Sequence, residues 1–522
     1  MPPSQNPAVK IVVNNVFSRI YGILSPELIY NLNTILSYKI QDSRYIIENI
    51  QKKPYASDWD GTIKLFWENE GNRFYTGMMS DVIDTLTKAG TPFVIADRRV
   101  IPPRNLEGMK FILPPTKFER PYQNTVIASM IKATRGIMQA ATGSGKTFMV
   151  TKIIGSVKSG PFLFFVPTVD IMDQAYECLS DCLTTPIGKL GDGNFDIQHI
   201  NVVMIPTAVQ AINRNNPKFK IKDYKYDDED DWDNTPLESK KAEAIDQLIR
   251  SATGVYLDEC HHASSKTCQT IMENSVSAYW RFGGSATPYR EDGAEKMIKA
   301  LFGRVVQKIS ASWLIRKDYL VKPHIYNIRM NGFHGDWSSY QEVYKNYIVN
   351  NEDLNEMVAR LAIRLKNVNI PTLILVQQYP HGDAIRKMIP DAPFIKGNMS
   401  RKKRREAIAG LRDGSTPYAI ATTLADEGLD VERLGAVIIA GGGKSITRVY
   451  QRVGRVIRTF PEKNRALVFL FHHEARFLKK HGAKVARLLA VEPEFSIIKS
   501  TELRIMDDID TILRPESTGL FA

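Results

Sequence analysis

The chain has 522 residues, 43% hydrophobic and 24% charged, a composition that excludes a fibrous or wholly disordered protein and suggests about three or four domains of ~100–200 residues. Its net charge of +12 points to an anionic partner, nucleic acid or a membrane surface, while the lack of any apolar run of about eighteen residues excludes a transmembrane helix. Four cysteines in so long a chain do not make a disulfide framework, and the first ten residues lack the layout of a signal peptide, so a reduced, cytoplasmic protein is expected.

Residues 1–112 carry no phosphate-binding loop and read as a small α+β module. Ile11–Val13 is a predicted strand and Pro26–Leu36 a predicted helix. In D-W-D-G-T-I-K-L-F-W, Asp58–Trp67, the Asp60-Gly61 turn precedes Ile63, Leu65 and Trp67, which alternate as in a half-buried strand. A helix is predicted over Met78–Lys88 and a strand over Phe93–Ala96. Trp59, Lys64, Trp67, Arg73, Tyr75, Arg98 and Arg99 suit base stacking and phosphate pairing. The competing reading makes the aromatics core and the charges a solvated face.

Pro114-Pro115 reads as a linker, and a strict strand–helix rhythm follows. Strands are predicted at Gly136–Ala140, Phe162–Val166, Val202–Ile205, Gly254–Asp258 and Arg281–Gly284. Continuous apolar runs such as F-L-F-F-V fit a parallel sheet covered on both faces. The first strand ends in A-A-T-G-S-G-K-T, Ala140–Thr147, with a helical run after it. Gly143 and Gly145 let backbone N–H groups close around a polyphosphate, with Thr142 and Ser144 in the same turn, and the helix N-terminus adds its positive end. Lys146 would reach the β- and γ-phosphates, and Thr147 would hold Mg²⁺. Cys178 and Cys182 lie four apart on a predicted helix, and Cys260 precedes His261 and His262; neither pair has the C-x-x-C spacing of a zinc site, and idle thiols are the expectation.

Lys218–Ala244 breaks the rhythm and reads as an exposed insertion of about 217–244. Within it Asp227–Asp233 is D-D-E-D-D-W-D, and setting aside its six negative charges leaves +18 on the rest. Asp258-Glu259-Cys260-His261 ends the run Val255-Tyr256-Leu257. A carboxylate at a strand end opposite a phosphate loop can hold Mg²⁺, and a second beside it can orient or deprotonate the attacking water; Asp258 and Glu259 take those roles.

From about Val321 a second rhythm begins, with strands predicted at Thr372–Val376, Pro393–Ile395, Tyr418–Ala421, Ala436–Ile439 and Ala466–Phe471, and a helix over Arg401–Leu411. This half has no phosphate loop, which implies a nucleotide site completed by a partner domain. Arg401–Arg405 is a dense basic run, either a phosphate binder or a solvated helix start. His472-His473 reads as a surface pair at a strand end.

With these residues quoted, the chain resembles a superfamily 2 helicase or translocase with a D-E-C-H box. Arg120-Pro121-Tyr122-Gln123 resembles the R-x-Y-Q element, in which Gln123 would read the adenine and Tyr122 would sit beside it. Pro167-Thr168 with Gln174 resembles motif Ia, Ser285-Ala286-Thr287 motif III, and Ala421-Thr422-Thr423 through Glu427–Asp430 motif V. Gln451-Arg452-Val453-Gly454-Arg455-Val456-Ile457-Arg458 matches Q-R-x-G-R-x-x-R, motif VI. Arg455 and Arg458, three apart, would share a helix face and act as arginine fingers, with Gln451 on the nucleotide. W-D-G-T-I-K-L-F and Y-T-G-M-M resemble the N-terminal domain of phage UvsW-type recombination helicases, which unwind and migrate branched DNA.

The resemblance implies two tandem RecA-like parallel-sheet lobes, 113–310 and 311–490, after a DNA-binding module at 1–112, with a tail at 491–522. It implies ATP and Mg²⁺ as cofactors. The implied partner is single-stranded and branched DNA, with no membrane; replication or recombination proteins are candidate further partners, and the sequence does not give the oligomeric state, with a monomer favoured. An RNA helicase with the same motor and a duplex translocase without unwinding are the alternatives.

Overall fold

The structure, a computed structural model, describes residues 9–40, 60–115, 117–215, 237–287, 293–330, 339–397, 399–422, 431–441, 446–461, 463 and 465–512. The described residues form two compact units. The first takes in 9–140, 145–215 and 237–308, and the second takes in 141–144 and 309–512.

The first unit opens with a five-stranded mixed sheet in the order Phe66–Trp67, Arg73–Tyr75, Phe17–Tyr21, Val9–Val13, Phe93–Asp97. Helices Pro26–Ile35 and Met79–Lys88 accompany it. Ser25 starts the first helix, its Oγ accepting from the Leu28 N–H at 3.2 Å, with Pro26 in the first turn. The alternation through Ile63, Leu65 and Trp67 is divided between two short strands in different sheets, because Leu65 turns inward between them and is fully buried.

The apolar core of this module runs on into that of the first lobe. Lys299 pairs with Asp81 at 2.7 Å, and Lys296 Nζ donates to the carbonyls of Ile35 and Ser37 at 3.1 and 2.7 Å. The lobe itself is an eight-stranded sheet in the order Asn194–Asp196, Ile187–Gly191, Ile200–Met204, Phe162–Val166, Gly254–Leu257, Trp280–Ser285, Arg135–Ala140, Val305–Ile309. Phe162–Val166 and Gly254–Leu257 are buried at every position and pair in parallel. Each large apolar side chain so placed contributes ~1.5–3 kcal/mol, which explains why unbroken apolar runs form the middle of the sheet.

Two corrections concern segment ends. Ser239–Ala244, expected to close an exposed insertion, begins the helix Ser239–Ser251, which buries Ala242, Ile245, Leu248 and Ile249 in the core. The acidic stretch Asp227–Asp233 lies outside the described residues.

The second unit is a seven-stranded sheet in the order Phe394–Ile395, Tyr418–Thr422, Thr372–Val376, Ala436–Ile439, Arg465–His472, Lys322–Arg329, Ser496–Thr501, with every neighbouring pair parallel. The two parallel-sheet α/β lobes are the expected RecA-like pair. The segment expected as a tail after residue 490 supplies the edge strand Ser496–Thr501 and the helix Ile505–Ile512, whose Ile505 and Ile509 are buried.

Candidate functional site

The strand Arg135–Ala140 and the helix Lys146–Val157 hold the phosphate loop between them. Gly143 and Gly145 both have φ of +81°, a conformation that glycine adopts without strain. A Cβ on Gly145 would also fall 2.6 Å from Gln123 Nε2, so a larger residue there would have to displace the end of the Gln123 side chain as well as strain the backbone. No side chain caps the helix that Gly145 begins, which leaves its first N–H groups to an anion. The Lys146 ammonium donates to the Ala140 carbonyl at 3.2 Å, folded back over the loop. The loop therefore fits a polyphosphate. Gln123 is held at the start of helix Pro121–Ala133, where its Oε1 accepts from the Arg120 N–H at 2.9 Å, and Tyr122 beside it is half-buried.

Asp258 and Glu259 follow the central strand Gly254–Leu257. Tyr256 donates to Asp258 Oδ1 at 3.1 Å. Glu259 has φ of +46°, a strained backbone for a residue with a side chain, of the kind found where a group must be aimed. Its Oε2 lies 3.2 Å from His261 Nδ1 and 3.3 Å from Ser285 Oγ, and His261 Nδ1 and Ser285 Oγ are 3.1 Å apart. The Thr287 N–H donates to the same Ser285 hydroxyl at 3.2 Å. One hydrogen-bonded network thus joins the D-E-C-H and S-A-T segments.

Burial, then the charge of Glu259, raises the Asp258 carboxyl to about 6, against the pull of Lys146. Burial works the same way on Glu259, but Lys146 and His261 outweigh it and hold that carboxyl at about 2. Of the two carboxyls, Asp258 is the one left short of positive charge. A divalent cation at Asp258 would supply that charge, so the donor set fits Mg²⁺. Glu259, held ionised, is better suited to orienting a water than to keeping its proton.

In the second unit, helix Ile446–Val456 carries Gln451 and Arg455 half-buried on one face, four residues apart. Arg458 does not share that helix, contrary to expectation. The Ile457 carbonyl accepts from the Val321 N–H at 2.7 Å and Arg458 pairs with Leu320 as a β-bridge, so strand-type bonding ends the helix. The same unit includes the turn Ala141–Ser144. A Cβ on Gly454 would fall 2.6 Å from the Cβ of Thr142, and one on Gly143 would fall 3.6 Å from Arg458 Cγ. Burial, then the Arg412 charge, lowers the Arg458 guanidinium to about 10.

A residue that sequence reading passed over holds this helix. Glu492 is buried, accepts from the Ser312 N–H at 2.8 Å, and accepts from the Tyr450 hydroxyl next to Gln451. It comes 42 positions after Tyr450, from the segment expected as a tail, and no local pattern marks it.

Other candidates lie away from these clusters. Phe17, Trp67 and Tyr75 pack ring on ring at 4.8–5.9 Å, and the Arg73 guanidinium covers Phe17 and Trp67 at 4.5 and 4.7 Å. Tyr75 donates to Glu273 at 2.5 Å. The aromatic side chains are packing, as the competing reading had it, and Arg73 packs with them instead of lying on a solvated face, whereas Lys64 and Arg98 are exposed. His473 is buried rather than at the surface. Trp59, Thr423 and Glu427–Asp430 lie outside the described residues. No helix among the described residues is long and apolar enough to cross a membrane.

Residues 117–290 match the family described as type III restriction enzyme, res subunit, and residues 355–460 match the helicase conserved C-terminal domain. The chain is 23% identical over 395 residues to the DNA 3'-5' translocase XPB2 of Sulfurisphaera tokodaii, covering 68% of this chain and 82% of that one. It is 25% identical over 229 residues to the ATP-dependent DNA helicase uvsW of Enterobacteria phage T4, covering 41% and 44%. The chain spans about half the length of most of the curated relatives it matches. The solved structure of the ATP-dependent Type ISP restriction-modification enzyme LlaBIII bound to DNA is 12% identical with a TM-score of 0.52, covering 85% of this chain and 36% of that one, a likeness of fold.

Proposed function

This chain belongs to helicase superfamily 2, and on that premise we propose that it is an ATP-dependent DNA helicase or translocase that remodels branched DNA such as forks, junctions and D-loops. The observation that carries the reading is the meeting of Lys146 with Asp258 and Glu259 at the end of the central strands, where each carboxyl feels the Lys146 charge. Gly143, Gly145 and the helix N-terminus would hold the phosphates of ATP, with Thr142 and Ser144 shaping the turn. Gln123 and Tyr122 would meet the base. Thr147 and Asp258 would hold Mg²⁺, which supplies charge to the phosphoryl oxygens.

Glu259 orients the water, and its network with His261 and Ser285 carries the state of that carboxylate to the S-A-T strand end. Arg455 and Arg458 neutralise charge developing on the transferred phosphoryl group, an effect of ~10³–10⁵ in rate for such groups. Gln451 contacts the nucleotide from the same helix as Arg455. The two domains at 113–310 and 311–490 alternate between states as hydrolysis proceeds, and residues 1–112 contribute DNA contacts. DNA is chosen over RNA because the relatives that cover 65% or more of this chain are named for DNA. Binding dominated by phosphates weakens steeply with salt.

The deciding experiment is an ATP-turnover and strand-displacement panel over single-stranded, forked, Holliday-junction, D-loop and RNA–DNA substrates. Turnover stimulated most by branched DNA, with displacement, is the expected result. Stimulation by RNA alone, or DNA-stimulated turnover without displacement on any substrate, would reject the branched-DNA reading.

A further inference from the structure

Two thiols left out of the nucleotide chemistry sit among the elements that carry it. Cys178 and Cys182 lie four residues apart, one helical turn, at the end of helix Val169–Cys182. Cys182 is fully buried, as are Cys260 and Cys268, whereas Cys178 is partly exposed. Lys117 Nζ stands 3.9 Å from Cys182 Sγ and 3.2 Å from Asp181 Oδ2. Cys178 Sγ lies 3.8 Å from the Thr151 hydroxyl, which itself donates to the Thr147 carbonyl at 2.8 Å.

The backbone around Cys182 is tied to the segment that leads into Arg120–Gln123. The Ile112 N–H donates to the Cys182 carbonyl at 2.8 Å, and Phe111 forms a β-bridge with Leu183. The Lys110 N–H donates to Thr184 Oγ1 at 2.9 Å. The thiol pair therefore touches the helix of the phosphate loop through Thr151 and the strap before Gln123 through Cys182 and Lys117.

We propose that Cys178 and Cys182 form a reactive dithiol, oxidised by hydroperoxides to an intrachain disulfide that disturbs the strap before Gln123. The Cys178 thiolate attacks one oxygen of the hydroperoxide. An S–O bond forms, the O–O bond breaks, and hydroxide or alkoxide leaves, so that the peroxide is reduced by two electrons and Cys178 becomes a sulfenic acid. Cys182 sulfur then attacks the Cys178 sulfur, an S–S bond forms, the S–O bond breaks, and water departs with the thiol proton. A dithiol reductant reverses the change.

The chemistry suits the surroundings. The neighbouring Cys182 thiol and the Lys117 charge, against the effect of burial, lower the Cys178 thiol and favour its thiolate. Cys182 is pushed the other way by its Cys178 neighbour and by burial, and waits as the resolving thiol. Side chains four apart on a helix keep their Cβ atoms ~5–6 Å apart, while a disulfide needs ~3.5–4.5 Å. Closing the bond must therefore shift the final turn. Cys182 is its last residue, and its carbonyl moves with the Ile112 bond.

Three measurements on the full chain test this, and the first two need no nucleotide turnover. A short iodoacetamide pulse at pH 7, read by peptide mass spectrometry, should alkylate Cys178 at least ten-fold faster than Cys260 or Cys268. Hydrogen peroxide should then give a Cys178–Cys182 disulfide, and Cys182→Ser should stop at a sulfenic acid that dimedone traps. Equal alkylation rates, or peroxide leaving both thiols reduced, would overturn the dithiol. In the third, peroxide should lower ATP turnover several-fold, dithiothreitol should restore it, and Cys178→Ser should not respond. A disulfide that forms with turnover unchanged would overturn its coupling to the strap. This last measurement rests on the proposed ATPase; a chain with no turnover at all would reject that reading while the labelling still decides the dithiol.

Discussion

The two units hold their candidate side chains by different means. In the first, Glu259, His261, Ser285 and Thr287 bind one another, so the residues that would do chemistry also fix each other in place. In the second, the helix carrying Gln451 and Arg455 is braced from outside by Glu492, which lies beyond the matched helicase domain. A site of the first kind is written in short motifs. One of the second kind depends on a distant residue that no motif contains.

Glu259→Gln breaks the first network at its charged member and is expected to have the largest effect. Loss of a positioned acid–base group costs ~10²–10⁴-fold in turnover, while equilibrium binding of a non-hydrolysable ATP analogue should hold. Steady-state ATPase assays with single-stranded DNA present check this. Undiminished turnover would remove Glu259 from the water-orienting role and with it the contrast between the units.

The second unit carries a pH dependence of its own. His381 is fully buried, and burial, then the charge of His473, lowers its imidazole to about 4; burial, then the His472 charge, does the same for His473. Each takes up its proton only on unfolding, where the imidazole has an ordinary value of ~6.5. Stability from these groups is therefore complete above ~6.5 and declines as pH falls toward 4, by up to ~3 kcal/mol each. Denaturant unfolding from pH 7 to pH 4.5 should show the decline, and His381→Leu should flatten it. A pH-independent transition would contradict the assignment.

Glu492→Ala would strip the Tyr450 hydroxyl and the Ser312 N–H of their acceptor, at a cost of ~1–3 kcal/mol. A lower melting temperature and a several-fold lower kcat are expected, with Glu492→Gln recovering part of both. An alanine variant with unchanged kcat would mean that the helix does not need its outside brace. The smallest effect is expected from Ser285→Ala. It removes the hydroxyl that meets Glu259, His261 and the Thr287 N–H but leaves the direct contact of Glu259 with His261, so ATP turnover should change by a few-fold, while strand displacement falls further. Equal losses in the two assays would show that Ser285 serves hydrolysis alone.

Legibility followed the same division. The unbroken apolar runs Phe162–Val166 and Thr372–Val376 were readable as strands because central parallel strands bury both faces. Lys322–Arg329, K-P-H-I-Y-N-I-R, lies toward the sheet edge, and polar residues interrupt its apolar pattern. Ser496–Thr501 is the edge strand itself and only partly buried, which weakens its signal further. The phosphate loop and Asp258-Glu259 stood out because their spacing is local. The helix end before Arg458 could not be read, since Leu320 and Val321, far back in the chain, impose it.

The central claim is that hydrolysis needs arginines from the second RecA-like domain as well as the loop and carboxylates of the first. ATP turnover and ATP-analogue affinity of Arg455→Ala and Arg458→Ala test it most directly. The account predicts that at least one variant loses ~10³-fold or more in DNA-stimulated turnover while analogue binding changes by no more than a few-fold. Turnover near the parent level in both variants would contradict it.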